Sequence, residues 1–322
     1  MHTMSTRPLD AAGSVPLAVV ERSGFPESQH AGAAVVVAPD GSVLTRHGDV
    51  DASVYPRSAL KPFQTVAALR AGVRLDAAGL TIVTASHEGD PEHLDAVRAV
   101  LAEGGASEAD LQTPEAWPSS RAAANALVRS GGGPSRIAMN CSGNHAGMIR
   151  AALALGIPVA SYLDPTNRVH ALAAEVIEEH AGARPQHPGT DGCGGPVWAI
   201  PLVALARGYA SLFAATPELG AAIRAHPILV DGAGTLTTRA IETLGVVAKI
   251  GAEGVWCAVA ADGTAVAVKS LDGSPRASAA VAVSLLAAAG AIDGDAADRY
   301  LAHRSLAVLG GGVEVGRIRP LV

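Results

Sequence analysis

Residues 246–271, Val-Val-Ala-Lys-Ile-Gly-Ala-Glu-Gly-Val-Trp-Cys-Ala-Val-Ala-Ala-Asp-Gly-Thr-Ala-Val-Ala-Val-Lys-Ser-Leu, hold three short β-type runs: Val246 to Ile250, Val255 to Ala260 and Ala265 to Leu271. The β-branched and aromatic residues suit a pleated, half-buried surface, and Ala261-Asp262-Gly263-Thr264 supplies a hairpin turn between the last two runs. An Ala-rich helix is predicted next, near Ala277 to Ala289. The other end of the chain reads the same way. Val15 to Val20 and Ala33 to Val37 are β-rich, and Pro39-Asp40-Gly41-Ser42 turns the chain into Val43 to His47. Between them, from Ser58 to Ile228, the pattern is helical: Ala59 to Ala71, Pro91 to Glu103, Arg121 to Arg129, Gly147 to Leu155, Thr166 to Ala181 and Pro196 to Arg207. Strands at both ends of one chain predict a single antiparallel sheet completed by both termini, with a mainly helical region inserted. That is an α+β pattern, without the strand–helix alternation of a doubly wound fold. The expected division is a flexible leader over 1–13 and one domain over 14–322. The domain comprises a sheet subdomain (14–57 plus 230–322) and a helical subdomain (58–229).

Composition narrows the function classes. The 322 residues carry 24 Lys+Arg against 30 Asp+Glu, a net charge of −6, which argues against a nucleic-acid binder built on a basic face. Hydrophobic residues make up 49% and charged residues 17%, so the chain can bury a core. Aromatics are only 3%, and that core must be filled by Ala, Val, Leu and Ile. The first residues lack a long apolar stretch, and the longest apolar tract, Ala279 to Ala291, falls short of the ~20 residues a membrane span needs. A cytoplasmic protein with no membrane partner is expected. Three cysteines, Cys141, Cys193 and Cys257, are too few for a secreted disulfide framework and leave reduced thiols or a metal site open.

Five stretches could carry chemistry. In Tyr55-Pro56-Arg57-Ser58-Ala59-Leu60-Lys61-Pro62 a serine and a lysine stand three apart where strand gives way to helix. Proline is tolerated in a helix only in its first turn, so Ser58 is predicted at the helix N-terminus with Lys61 one turn on, on the same face. A lysine kept neutral by burial or a neighbouring positive charge can take a hydroxyl proton, the logic of S-x-x-K acyl hydrolases. Read blandly, the same pattern is a serine cap with a solvent-facing lysine. In Thr84 to His93, Asp90, Pro91 and His93 read as a helix start, whereas Ser86 and His87 leave an apolar, strand-like or buried segment just before a turn. Asn140-Cys141-Ser142-Gly143-Asn144-His145-Ala146-Gly147-Met148 and Gly189-Thr190-Asp191-Gly192-Cys193-Gly194-Gly195-Pro196 join cysteine, histidine and aspartate to glycine-rich turns. Cys257 reads as core. Lys249 and Lys269 each end a late apolar strand, where an exposed lysine is the bland expectation, but Lys269-Ser270 has the order and position of the late K-[ST] element of S-x-x-K hydrolases.

Taken together and in this order, these stretches resemble the L-asparaginase II family, the rhizobial-type asparaginases. The resemblance spans nearly the whole chain, from Arg22-Ser23-Gly24 and Glu27-Ser28-Gln29-His30 through the motifs above to Gly251-Ala252-Glu253-Gly254 and Lys269 with Asp272-Gly273. It implies a serine-β-lactamase-like and glutaminase-like fold, hydrolysis of L-asparagine to L-aspartate and ammonia, and a homodimer. It also implies two Ser-Lys pairs, Ser58 with Lys61 and Ser86 with Lys269, a substrate-binding Asp191, and zinc-binding Cys141 and Cys193. Arg57 is a candidate for the substrate carboxylate, and His145 and Asn144 are expected in the substrate site. Family members carry a lysine where this chain has Asn144. Zinc favours thiolate and imidazole, so a zinc site here needs His145 or water to complete it. The expected mechanism has Ser58 attack the side-chain amide and Lys61 take its proton, while Ser86 and Lys269 relay the proton to the departing amine, or the two serines exchange roles. The alternatives are another Ser-Lys amidase or acyl hydrolase, and a non-catalytic amino-acid-binding protein with a decayed site.

Overall fold

The computed structural model describes residues 7–322. Its strands are β1 (Val15–Arg22), β2 (Phe25–Val37), β3 (Val43–His47), β4 (Ser53–Val54), β5 (Gln186–Thr190), β6 (Pro196–Pro201), β7 (Val247–Gly251), β8 (Val255–Val259), β9 (Ala265–Ser270), β10 (Ala307–Gly310) and β11 (Val313–Pro320). The main sheet runs β10-β11-β1-β2-β9-β8-β7, with β3 paired to β2 off that path, and every pairing is antiparallel. The expected sheet from both chain ends is therefore present. β1 lies between its hairpin partner β2 and β11 from the far end of the chain, in the register Val19↔Arg319. β9, Ala-Val-Ala-Val-Lys-Ser, is buried over most of its length and packs against α7 (Leu202–Ala215) and α11 (Ser278–Ala288). Because alternate side chains of a strand point to opposite faces, burial of both sets requires the sheet to be covered on both sides. The small side chains of this strand and of α11, Ser-Ala-Ala-Val-Ala-Val-Ser-Leu-Leu-Ala-Ala, allow that close approach.

The inserted region is helical, as expected, with α1 (Lys61–Arg70), α2 (Ala77–Thr84), α3 (Pro91–Glu103), α4 (Arg121–Arg129), α5 (Ser142–Ala154) and α6 (Arg168–Ala181) preceding α7. Three details differ from the sequence reading. The apolar run Leu80 to Val83, read as strand-like or buried, is a buried part of α2 and not a strand. Pro196 to Arg207 is not one helix: Pro196–Pro201 pairs with β4 and β5 in a second, three-stranded sheet, and the helix starts at Leu202. Finally, α5 begins at Ser142, five residues before the predicted start. Its glycines are packing residues: a Cβ on Gly143 would stand 2.1 Å from Ile82 O and one on Gly147 3.2 Å from Val83 Cβ, so α5 lies directly on α2. Of the expected flexible leader, residues 1–6 lie outside the described residues, whereas Arg7 and Leu9 pair with Ser53 through backbone hydrogen bonds of 2.9 and 3.3 Å. Residues 7–9 are thus tied to the body rather than free of it.

Candidate active site

Where α2 ends, the backbone turns extended at Ala85 and Ser86 follows. Two flanking segments pin this short run: Ser86 N–H donates to Val230 O (2.9 Å) and His87 N–H to Asn140 O (3.1 Å). Lys61, the first residue of α1, donates to Ala85 O (2.5 Å) and lies 3.0 Å from Ser86 Oγ. From the sheet, Lys249 on β7 reaches the same hydroxyl at 2.7 Å and donates to Ile250 O at 2.8 Å. One serine oxygen thus sits between two amines that are 188 residues apart in sequence, Lys61 and Lys249, which are only 3% and 1% exposed. Burial, and then the charge of Lys61, push the Lys249 amine down from 10.5 to about 7. Near neutrality a large share of it is the free base. A neutral amine 2.7 Å from a hydroxyl is placed to accept its proton.

This corrects two expectations. Lys269 is not beside Ser86: its ammonium is tied to Glu253 O and Ser270 O (2.5 and 2.6 Å). Lys249, expected as an exposed strand-end residue, is buried and takes the place assigned to Lys269. Lys61 is likewise directed to Ser86 and not to Ser58. Ser58 lies in a 3₁₀ turn, Arg57–Leu60, immediately before α1, and makes no side-chain hydrogen bond among the described residues. Arg57 holds that turn in a left-handed backbone conformation (φ 54), which costs a non-glycine residue roughly 1–3 kcal/mol. Its guanidinium donates twice to Asp191 Oδ1 (2.9 and 2.7 Å). The expected carboxylate-binding arginine and ammonium-binding aspartate therefore engage each other.

Ser58 and Ser86 face a common cavity of about 210 Å³, whose wall also contains His87, Glu88, Asn140 and Asp231. On the other side of Ser58, toward Lys61, Asp191, Asn144 and Cys193, the open space is about 10 Å³, enough for one water and no more. Burial first, and then their mutual repulsion in the case of Glu88, raise the pKa values of Glu88 and Asp231. Burial lowers that of His87 well below its usual value, so the ring is neutral.

Cys141 and Cys193 adjoin each other, with Lys61 beside Cys141, and the Cys141 thiol donates to Asn140 Oδ1 (3.2 Å). The contact with Cys193 and the lysine charge lower the Cys141 pKa, whereas the contact with Cys141 and burial raise that of Cys193. These are the two expected zinc ligands, and they are together. The remaining donors do not complete the set. Asn144 Nδ2 donates to Val83 O (3.1 Å), so the residue at the family's lysine position is held by backbone. His145 Nδ1 is 2.7 Å from the Tyr162 hydroxyl, which also accepts from Gln112 N–H, and its Nε2 is buried with no hydrogen-bond partner among the described residues. Among the described residues no group of three His, Cys, Asp or Glu side chains stands at metal-binding spacing. Two sulfurs with an amide nearby do not fit a zinc centre, which needs three or four protein ligands.

The sequence model of the L-asparaginase II family matches residues 18–320. No curated protein matches the chain. Among solved structures, a Bacillus glutaminase crystallised in 4.3 M NaCl is similar with a TM-score of 0.43 at 11% identity, over 80% of this chain and 91% of that one. Mglu in its native form is similar with a TM-score of 0.40 at 14% identity, over 87% of this chain and 71% of that one. At those identities and scores neither bears on the chemistry of the site. No helix among the described residues is long and apolar enough to cross a membrane.

Proposed function

The chain belongs to the L-asparaginase II family, and from that premise we propose that it hydrolyses L-asparagine to L-aspartate and ammonia through an ester formed on Ser86. Amide hydrolysis is the chemistry of the family. The observation that carries the choice of nucleophile is the position of Ser86 Oγ, 2.7 Å from Lys249 and 3.0 Å from Lys61, in the wall of the roomier cavity. Neutral Lys249 takes the hydroxyl proton as Oγ bonds to the side-chain amide carbon. The ammonium of Lys61 offsets the negative charge that develops around the serine oxygen. Lys249 then returns its proton to the amide nitrogen, the C–N bond breaks and ammonia leaves. In the second half a water enters the vacated position, loses a proton to Lys249 and attacks the ester. Aspartate departs and Ser86 regains its proton.

Ser58, unpaired and across the same cavity, orients the leaving group and the water in this scheme. The Arg57–Asp191 pair fixes the turn that presents it. No step passes through zinc. The same reading takes the protein to be a cytoplasmic homodimer, a state that light scattering on the purified protein reads directly. The test of the function is ammonia release from a panel of amino-acid amides. L-Asparagine should be turned over by the wild type and not by a Ser86→Ala variant of unchanged circular dichroism. Undiminished turnover in that variant would reject Ser86, and absence of any amide turnover in the wild type would reject the function.

A further inference from the structure

Lys249 becomes a cation each time it takes the Ser86 proton, and the ammonium of Lys61 stands on the same oxygen. Two buried ammonium groups flanking one serine repel each other unless a carboxylate faces them. Asp191 is not that carboxylate, because Arg57 engages it at 2.9 and 2.7 Å. Asp231 is placed differently. Its segment runs beside the serine segment: Ser86 N–H donates to Val230 O (2.9 Å) and Glu88 N–H to Asp231 O (2.7 Å). The hydroxyls of Thr235 and Thr237 hold its carboxylate, and Trp256 Nε1 donates to Thr237 Oγ1 (3.4 Å) from β8, the strand paired with β7. Asp231 also lines the cavity that Ser86 faces. The charged and titratable groups that face the Lys249 amine are Lys61, His87, Cys141, Asp231 and Cys257, and Asp231 is the one carboxylate among them. Of the other charges on elements packed against β7, Arg57 turns to Asp191, and Arg239, in the helix over Leu236–Leu244, lies toward Tyr300 and His303.

Resting on the function proposed above, we infer that Asp231 is a positioning residue for the reaction: its carboxylate faces the Lys249 amine and stabilises the ammonium formed when Lys249 takes the Ser86 proton. Hydroxyl, base and carboxylate then play the parts that serine, histidine and aspartate play in a Ser-His-Asp triad. Asp231 itself takes no proton. The proton passes from Ser86 Oγ to Lys249 Nζ and on to the departing amide nitrogen, while the carboxylate keeps its charge throughout. Solvent screens a charge held in the wall of such a cavity less than one on the surface, so a single carboxylate is enough to act on the amine. The cost of holding it there is offset by Thr235, Thr237 and the amine it faces.

The test is Asp231→Asn, which keeps the shape of the side chain and removes its charge. The rise of kcat/KM for L-asparagine with pH, centred near 7 in the wild type, should move to lower pH by about half a unit or more, because an amine without its carboxylate releases its proton at lower pH. On the plateau kcat should fall about 10- to 100-fold with KM changed less than about 3-fold, since the Lys249 ammonium forms only as the reaction proceeds. A loss of kcat with the midpoint unmoved overturns the inference, because a residue that merely supports the fold leaves the proton affinity of Lys249 where it was. Glu88→Gln removes the other acid of the same wall and should leave the midpoint in place; an equal shift there would make the effect one of net charge and overturn the assignment to Asp231. Should Asp231→Asn fail to fold, Asp231→Ala makes the same measurement. If the wild type releases ammonia from no amide, the proposed function fails, and stability reads the contact instead. Below pH 7, Lys249→Met should raise the urea midpoint more in the presence of Asp231→Asn than in its absence, and equal gains overturn the contact.

Discussion

Replacing Lys249 with methionine should make the protein more stable and inactive. Lys249 is fully buried, and its amine falls from 10.5 to about 7 on folding. Between those two values the unfolded chain binds a proton that the folded chain does not. The folded state is thereby disfavoured by about 4 kcal/mol at pH 7. Methionine has nearly the same length and no charge, so Lys249→Met removes that penalty. It also forfeits the contact with Ser86 and leaves Ile250 O without its donor, about 1 kcal/mol each. A net gain of roughly 2–3 kcal/mol remains, which at about 2 cal/mol/K of unfolding entropy per residue is a rise in Tm of roughly 3–5 °C. Calorimetry and urea midpoints measure it, and ammonia release should fall at least ~10³-fold. The pH dependence is the sharper part. As pH rises from 7 toward 10.5 the wild type gains stability relative to the variant, and by pH 9 about half of the penalty is gone. Below pH 7 lysine is protonated in both states and the difference levels off. A variant that melts below the wild type, or a gap that does not change between pH 7 and 9, would refute a neutral buried amine at this position.

The same amine predicts a kcat/KM for L-asparagine that rises with pH through about 7 and then flattens, because only free-base Lys249 accepts the Ser86 proton; a rate that falls across that range would contradict it. Ser58→Ala should retain measurable turnover where Ser86→Ala retains none, since among the described residues only the Ser86 hydroxyl meets both amines, and a reversed order in steady-state assays would move the nucleophile to Ser58. Incubation with EDTA should leave amide turnover unchanged, because the donors around Cys141 and Cys193 do not complete a zinc site; loss of activity restored by added zinc would show otherwise. Gly143→Ala should destabilise by several kcal/mol, seen as a lower Tm, because its methyl would meet Ile82 O at 2.1 Å and force α5 away from α2.

Much of this fold is legible in local sequence. The runs from Val43 to His47 and from Val255 onward alternate or cluster β-formers between turn signals, and Pro91 to Glu103 carries its own start signal, so neighbouring residues suffice to place them. The start of α5 was hidden because Gly143 and Gly147 look like turn residues until the partner helix is known. Pro196 to Pro201 was hidden because an apolar run of six fits strand or helix equally. The site divides in the same way. Ser58, Lys61, Ser86, Asp191 and the two cysteines stand in recognisable motifs, and all lie around one region. Lys249 and Lys269 end similar strands in similar company, and no local signal says which is buried against Ser86. Nor does a pattern reveal that Arg57 and Asp191 neutralise each other, because that pairing joins residues 134 apart.

The placement of β1 between β2 and β11 gives the sheet an order of assembly. While the polypeptide is being synthesised, Ser86 and Lys61 emerge long before β7 delivers Lys249, and β1 waits for the final hairpin before its second edge is covered. Pairings of such long sequence separation form late and slowly. A ribosome-bound fragment therefore carries Ser86 without Lys249, and a protein clipped within β11 exposes the edge of β1 to pairing with other molecules. The contact between Ser86 and Lys249 is one of the last to form, after the scaffold that confines it is nearly complete.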